Sequence, residues 1–361
     1  MRTVFIAIAC LIAGSTFAPA QQSKKLIEFG WDEPDTAFMR QHIAEMENSP
    51  FDGCVFHLYY TDAKGGVGQF IWDAWGKRAF AESDFAKAMD DLKNTPFKKF
   101  THNLLRFNTT PADVDWFDDY SAILNNARLA AKIAREGKAA GLLFDIEQYN
   151  SQLFNYSKQR DAKTKSWAQY AAQAKTRGRE VMSAFQEGYP DLVVFMTWAY
   201  SLPHAQCGVD DIKLAQVDYG LLKPFLDGMF EAATGKTKIV DGFETSYGYK
   251  EAKQFDAIPI ITKKTVLPWM PDPQKYLNHM SQGFGLWMDN DWRNKAWNET
   301  DFSKNHFTPD EFEKSVREAL RASDEYVWIY TETPRWWAAP DGKPQKLPAA
   351  YAEALRKAAG K

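Results

Sequence analysis

The sequence predicts an α/β chain folded as one (β/α)8 barrel behind an N-terminal signal peptide. Short apolar runs of strand character alternate with amphipathic helical stretches, the pattern of repeated βα units around a parallel sheet. No Gly/Ser/Pro linker, repeat or low-complexity stretch divides the chain between Lys25 and Lys361. The alternative, a doubly wound open sheet, would place a Gly-rich phosphate turn after the first strand, and none is there.

The first twenty residues read as an export signal. Arg2 supplies a positive n-region, Val4 to Ala13 an apolar stretch, and Ala18-Pro19-Ala20 a small-residue cleavage site before Gln21. The apolar run is too short to span a bilayer, and no later segment approaches that length. A lipoprotein reading through Cys10 is weakened by Ala7-Ile8-Ala9, a poor lipobox. The expected product, residues 21–361, is therefore periplasmic or extracellular.

The first strand is Leu26–Gly30, with a helix over Thr36–Glu47; the second is Gly53–Tyr59, with a helix over Asp84–Lys93. Phe100–Phe107 is the third, backed by Tyr120–Glu136, and Gly141–Glu147 the fourth, backed by Ser166–Glu187. Leu192–Ala199, Ile239–Thr245, Gly283–Asp289 and Tyr326–Glu332 complete the set, with a helix over Pro309–Ala322. Val266–Met270 competes for a strand, but Pro268 and Pro271 demote it. Length beyond a minimal barrel goes into loops after strands 2, 4, 5 and 7.

Composition narrows the function. A net charge of −3 without a basic stripe argues against a nucleic-acid partner. Beyond the signal only Cys54 and Cys207 remain, so a bridge is possible but not indicated. Thirteen Trp and fifteen Tyr are more than a core of this size needs, and many fall in predicted loops. Exposed flat rings suit the apolar faces of sugars, which makes carbohydrate the expected partner.

In such barrels the working side chains come from strand C-termini. The fourth strand ends Phe144-Asp145-Ile146-Glu147-Gln148-Tyr149, and period-two alternation puts Asp145 and Glu147 on one face. Two neighbouring acids at an apolar strand end raise each other's pKa, which keeps a carboxyl protonated as a general acid. The sixth strand brings Glu244 with Tyr247 and Tyr249 beyond it. The seventh brings Trp287, Asp289 and Asp291 on one face, and the eighth ends at Glu332 before Arg335-Trp336-Trp337. Trp31 follows strand 1, His57 and Tyr59 belong to strand 2, His102 and Arg106 to strand 3, and Trp198 to strand 5. Taken singly, each acid fits a helix cap or an ion pair, and Asp32 and Glu33 fit the start of the first helix. His57 and His102 in apolar strands fit satisfied core residues. Jointly, acids and rings on one rim match what glycosidic bond hydrolysis requires.

Asp145-Ile146-Glu147 resembles the tail of the D-x-x-D-x-D-x-E signature of family 18 chitinases, although Ala140 and Leu143 occupy its two earlier Asp positions. That resemblance implies Glu147 as the acid and Asp145 as the group assisting the substrate's acetamido nucleophile. The segments Leu26–Pro34, Phe100–Pro111, Asp241–Tyr249 and Tyr326–Trp337 together resemble secreted bacterial proteins with glycosidase-like barrels, which implies fold and setting rather than reaction.

The expectation is a glycoside hydrolase with Glu147 as acid/base, Glu244 as nucleophile or water-activating base, Asp145 tuning Glu147, and Glu332 as a third carboxylate. Trp31, His57, Tyr59, Arg106, Tyr149, Trp198, Tyr247, Trp287, Asp289, Asp291, Trp336 and Trp337 are the expected substrate contacts. Tyr247, Trp287, Trp336 and Trp337 would form the walls, and Arg106 and Arg335 would meet an acidic sugar or hold a carboxylate. The alternatives are a non-catalytic carbohydrate-binding barrel and a polysaccharide lyase using Tyr247, His57 or His102 as base. No cofactor and no metal are expected: there is no His-x-His strand end, His-Glu-x-x-His helix or paired-Cys spacing. Asp289-Asn290-Asp291 lacks the glycine and distal Glu of a calcium loop. The loops Thr61–Ser83, with Phe70, Trp72 and Trp75, and Asp289–Thr308, with Trp292 and Trp297, would edge a pocket or a groove.

Overall fold

Eight parallel strands run in register around a barrel in a computed structural model that describes residues 24–290, 297–337, 342 and 345–361. The signal segment expected over residues 1–20, and Asp291 and Trp292, lie outside the described residues. The strands are β1 (Lys25–Glu28), β2 (Gly53–Phe56), β3 (Leu104–Asn108), β4 (Gly141–Asp145), β5 (Val193–Met196) and β6 (Lys238–Asp241). They continue with β7, in two halves (Met280–Gln282 and Phe284–Trp287), and β8 (Tyr326–Tyr330). Each pairs with its sequence neighbour, and β8 returns to β1 with Lys25 beside Tyr326 and Glu28 beside Ile329.

The barrel closes through β7. Its first half pairs with β6, Ile239 beside Met280, and its second with β8, Phe284 beside Val327. Gly283 joins the halves and its amide donates to the Asp241 carbonyl. A strand that must meet two neighbours splaying apart breaks its ladder at one residue, here the glycine.

Period-two alternation sorts the side chains. Ile27, Phe29, Val55, Leu104, Leu143, Phe195, Val240, Tyr326 and Trp328 fill the barrel, while Leu26, Cys54, Leu105, Leu142, Val194 and Ile239 face the helices. Trp328 takes the centre. Its Nε1 donates to the Gly242 carbonyl at 2.8 Å, and a Cβ on Gly285 would lie 2.5 Å from its indole. Gly285→Ala is therefore expected to lose about 1–3 kcal/mol of stability by overpacking, read from urea unfolding. An unchanged midpoint would mean that the indole has room to shift.

Most expected strands overrun the observed ones at their C-terminal ends, while the third, expected from Phe100, begins only at Leu104 and runs to Asn108. β2 stops at Phe56, and Tyr59–Thr61 instead pairs antiparallel with Val67–Gln69 in a hairpin above the barrel. β5 and β6 stop at Met196 and Asp241 rather than Ala199 and Thr245. The residues beyond keep strand-like composition but leave the ladder as it opens toward the mouth. The first helix starts at Thr36 behind Asp35, whose side chain caps Phe38 N, so Asp32 and Glu33 are not its caps. Thr308 and Glu311 form a capping box for Pro309–Ala322. Residues 261–269 are helical turns, not a strand. Cys54 and Cys207 are both buried and unbridged. Among the described residues, no helix is long and apolar enough to cross a membrane.

Candidate active site

A cavity of about 510 Å3 opens at the C-terminal mouth, lined from β1, β3, β4, β5, β6, β7, β8 and the loops after them. Its floor carries four carboxylates and one guanidinium: Asp145, Glu147, Glu244, Glu332 and Arg106.

Arg106 organises one side. It stands on β3 with its guanidinium 14 % exposed, donating from Nη1 to Glu33 Oε2 at 2.9 Å and from Nη2 to Asp145 Oδ2 at 2.8 Å. Its Nε donates to Asn108 Oδ1, and its plane lies 5.1 Å from the Phe29 ring. Both forks of the guanidinium are thus committed inside the protein, so Arg106 holds carboxylates in place rather than meeting an acidic sugar. Glu33 also receives the His57 ring at 3.1 Å. Burial raises the Glu33 carboxyl, but Arg106 and His57 outweigh it and hold the group below its ordinary range.

Asp145 ends β4 and accepts from the Glu147 amide at 3.0 Å, which turns the chain and aims the Glu147 side chain into the cavity. The Tyr149 hydroxyl bonds Asp145 at 3.0 Å and also reaches Glu147. Across the cavity, Glu244 follows Phe243, a buried residue held in the left-handed region at φ 44°. Such a conformation costs a β-carbon-bearing residue about 1–2 kcal/mol. It survives where packing enforces it, here bringing Glu244 back over the barrel at the end of β6. The Tyr247 hydroxyl hydrogen-bonds Glu244. Burial and the charge of Asp145 push the Glu147 carboxyl up, and burial with the charges of Glu147 and Asp145 pushes Glu244 up further. Burial and neighbouring Glu244 likewise push the Tyr247 hydroxyl well up, leaving it a donor.

Rings enclose the acids. Tyr247 stacks on Tyr330 at 5.4 Å and meets Trp287 edge-on at 5.8 Å. Trp31 donates from Nε1 to Tyr330 Oη at 2.9 Å, and Tyr330 donates to Glu332 at 3.1 Å. Trp72 meets Tyr149 edge-on at 5.7 Å.

Of the expected residues, the fold gathers Glu147, Glu244, Asp145, Glu332, Trp31, Arg106, Tyr149, Tyr247 and Trp287 on this cavity. Others stand elsewhere. Asp289 is buried and accepts from Trp287 Nε1 and from the Glu332 and Thr333 amides, bracing β7 to β8. Trp198 is half-buried outside the cavity with Nε1 on Thr245. His57 lies behind Glu33, and Tyr59 stands exposed on the hairpin.

Trp336 and Trp337 are not walls. The chain after β8 turns back beneath the loop that follows β1, so Trp336 packs on Phe51, and Trp337 packs near Phe100 and donates to the Asp32 carbonyl. Arg335 is 2 % exposed under the Trp31 ring, out of reach of an acidic sugar. His102 precedes β3 at the opposite end of the barrel, bonded to Tyr326 Oη, its pKa pushed down to about 4 by burial.

Glu33, Phe29, Thr197 and Tyr330 were not among the expected contacts, and Trp72 was expected only as part of a loop edging the pocket. Phe29 and Tyr330 were signalled by alternation with Ile27 and Trp328; Glu33 and Trp72 sit in loops whose course no periodicity encodes. Among the described residues no cluster of three or more His, Cys, Asp or Glu side chains is arranged to hold a metal.

Outside the cavity, Glu28 and Asp32 are fully buried behind β1. Burial first, then the charge of Asp32, pushes the Glu28 carboxyl well up, so the folded chain keeps its proton where the unfolded chain loses it. The stability tied to that proton is complete below the unfolded value of 4.5 and drains away as pH rises toward the folded value. Glu28→Gln is expected to flatten the decline in Tm as the pH rises above 4.5. A slope equal to the parent's would place the titration elsewhere.

The molecule is thus a (β/α)8 barrel with a carboxylate-and-aromatic cavity at its C-terminal mouth. No protein-family model matches the chain, so the partial likeness to the chitinase signature has no family match behind it. No curated protein matches it either. Among solved structures it is similar to a GH5-4 broad specificity endoglucanase from an uncultured bacterium, at 15 % identity over 89 % of this chain and 85 % of that one, TM-score 0.48. It is also similar to a Bacteroides ovatus GH5 xyloglucanase, at 11 % identity over 94 % and 75 %, TM-score 0.44. A hyperthermophilic endocellulase from the archaeon Pyrococcus horikoshii follows at 9 % over 95 % and 93 %, TM-score 0.43. Such distant likeness says nothing about the site.

Proposed function

We propose that this chain hydrolyses glycosidic bonds, with Glu147 and Glu244 as the reacting pair. The observation that carries the reading is that these carboxyls line one ring-walled cavity from the ends of β4 and β6, where burial and neighbouring acids raise the proton affinity of both. One protonated and one ionised carboxyl near neutral pH is the state in which one donates to the leaving oxygen and the other attacks or activates water. The sequence reading assigns the acid to Glu147. Burial raises the proton affinity of both carboxyls, Glu147 with Asp145 beside it and Glu244 with Glu147 and Asp145 beside it, so the kinetics of the two Gln variants assign which one donates. Asp145, tied to Arg106 and Tyr149, positions Glu147 through its amide.

A lyase is supported less well. It needs a base and a free cation for the uronate, whereas the Tyr247 hydroxyl is held neutral, His102 is at the far end, and Arg106 is fully engaged. The test is incubation of the purified chain with a polysaccharide and aryl-glycoside panel, following reducing ends and ultraviolet absorbance together. New reducing ends without absorbance support hydrolysis. An absorbing unsaturated product would replace it with elimination, and silence on every substrate with binding retained would leave a binding barrel.

A further inference from the structure

We infer that the hairpin after β2 is a binding platform for a neutral oligosaccharide chain that runs out of the cavity over Tyr149, Trp72 and Tyr59. The inference rests on the carbohydrate reading of the cavity and adds to it where the chain lies and what charge it carries.

Among the described residues the strongly exposed aromatic rings are Trp31 (58 %), Tyr149 (45 %), Tyr59 (41 %) and Trp72 (41 %), and all four stand at the mouth. Single exposed rings are ordinary; four on one rim, with no other strongly exposed ring among the described residues, form a surface with a use. These rings are also held. Phe70 and Ile71 are buried, with Phe70 edge-on to Phe80, Phe85 and Phe107, and this anchor turns the next residue, Trp72, outward. Trp72 Nε1 donates to Gln69 Oε1 at 3.0 Å, and Gln69 Nε2 donates to Tyr59 Oη at 2.9 Å. The polar edges are thereby satisfied within the hairpin, and little ring freedom is left to lose on binding. Tyr149 and Trp72 both line the cavity that holds Glu147 and Glu244, so the row is continuous with the carboxylates.

Charge selects the sugar. Among the described lining residues the acids are Asp145, Glu147, Glu244 and Glu332, and the lone guanidinium, Arg106, is bound by Glu33 and Asp145. A uronate would bring its carboxylate into that field, a cost that a neutral sugar escapes.

The experiment uses the full chain carrying Glu244→Gln alone, so that ligands are turned over slowly while the other three acids of the cavity remain. Binding of neutral gluco-, xylo- and manno-disaccharides and hexasaccharides is measured by calorimetry beside oligogalacturonides of the same lengths. The hexasaccharide of at least one neutral series is expected to bind about tenfold tighter than its disaccharide, a gain of about 1.4 kcal/mol. Adding Trp72→Ala should remove most of that gain, weakening the hexasaccharide about fivefold more than the disaccharide, and Trp72→Tyr should restore part of it. Affinity independent of length, equal weakening of both lengths, tightest binding of the galacturonides, or no binding of any neutral series would overturn the platform. Length-dependent binding without turnover by the parent chain would instead sink the hydrolytic reading and leave the platform standing.

Discussion

Glu147→Gln and Glu244→Gln are each expected to lower turnover by about 10^3-fold or more while leaving the thermal midpoint close to the parent's. Glutamine keeps the shape of the side chain but can neither deliver nor take the proton, so the loss falls on the chemical step and not on the fold. Both carboxyls are raised by burial and by the acids around them. Removing Glu147 is therefore expected to lower the pKa of Glu244, shifting the basic limb of any residual pH profile of Glu147→Gln to lower pH. Azide separates the roles. With an activated aryl glycoside it is expected to restore turnover in Glu147→Ala or Glu244→Ala, where the shorter side chain leaves room for it, and the anomer of the azide product tells which role was removed. Near-parental turnover in either variant would remove that residue from the reacting pair.

The second large effect is on stability. Arg106→Met is expected to cost about 3–5 kcal/mol, because it strands Glu33 and Asp145, 9 % and 1 % exposed, without their shared cation. Arg106→Lys should recover only part of the loss, since one ammonium cannot reproduce a fork that meets both carboxylates and Asn108. Urea unfolding at neutral pH gives the comparison. Lowering the pH should narrow the gap between Arg106→Met and parent, because protonating the stranded acids removes their unpaired charge. A midpoint unchanged by Arg106→Met would mean that the two carboxylates are solvated well enough to need no partner.

Much of the site can be read from alternation alone. Asp145 and Arg106 continue the inward faces of β4 and β3, and Trp287, Tyr330 and Glu332 those of β7 and β8, because a strand's side chains alternate wherever its ladder persists. Glu244 reaches the cavity by another route. Period two would place it inward on an extended strand, but β6 has already ended at Asp241, and the left-handed turn at Phe243 delivers it. Where the ladder stops, alternation stops informing. Trp336 and Trp337 follow Glu332 so closely that they read as rim residues, yet the chain reverses and buries both.

From sequence alone come the eight strands, the barrel, five of the helices and the strand-end acids, since each is written in local periodicity. Only the tertiary structure decides that Arg106 belongs to Glu33 and Asp145, that Asp289 braces β7 to β8, and that Trp72 comes to stand beside Tyr149. Those pairings join residues brought together by barrel closure and loop course. Their energies come from burial and from partners distant in the chain, which no local pattern records.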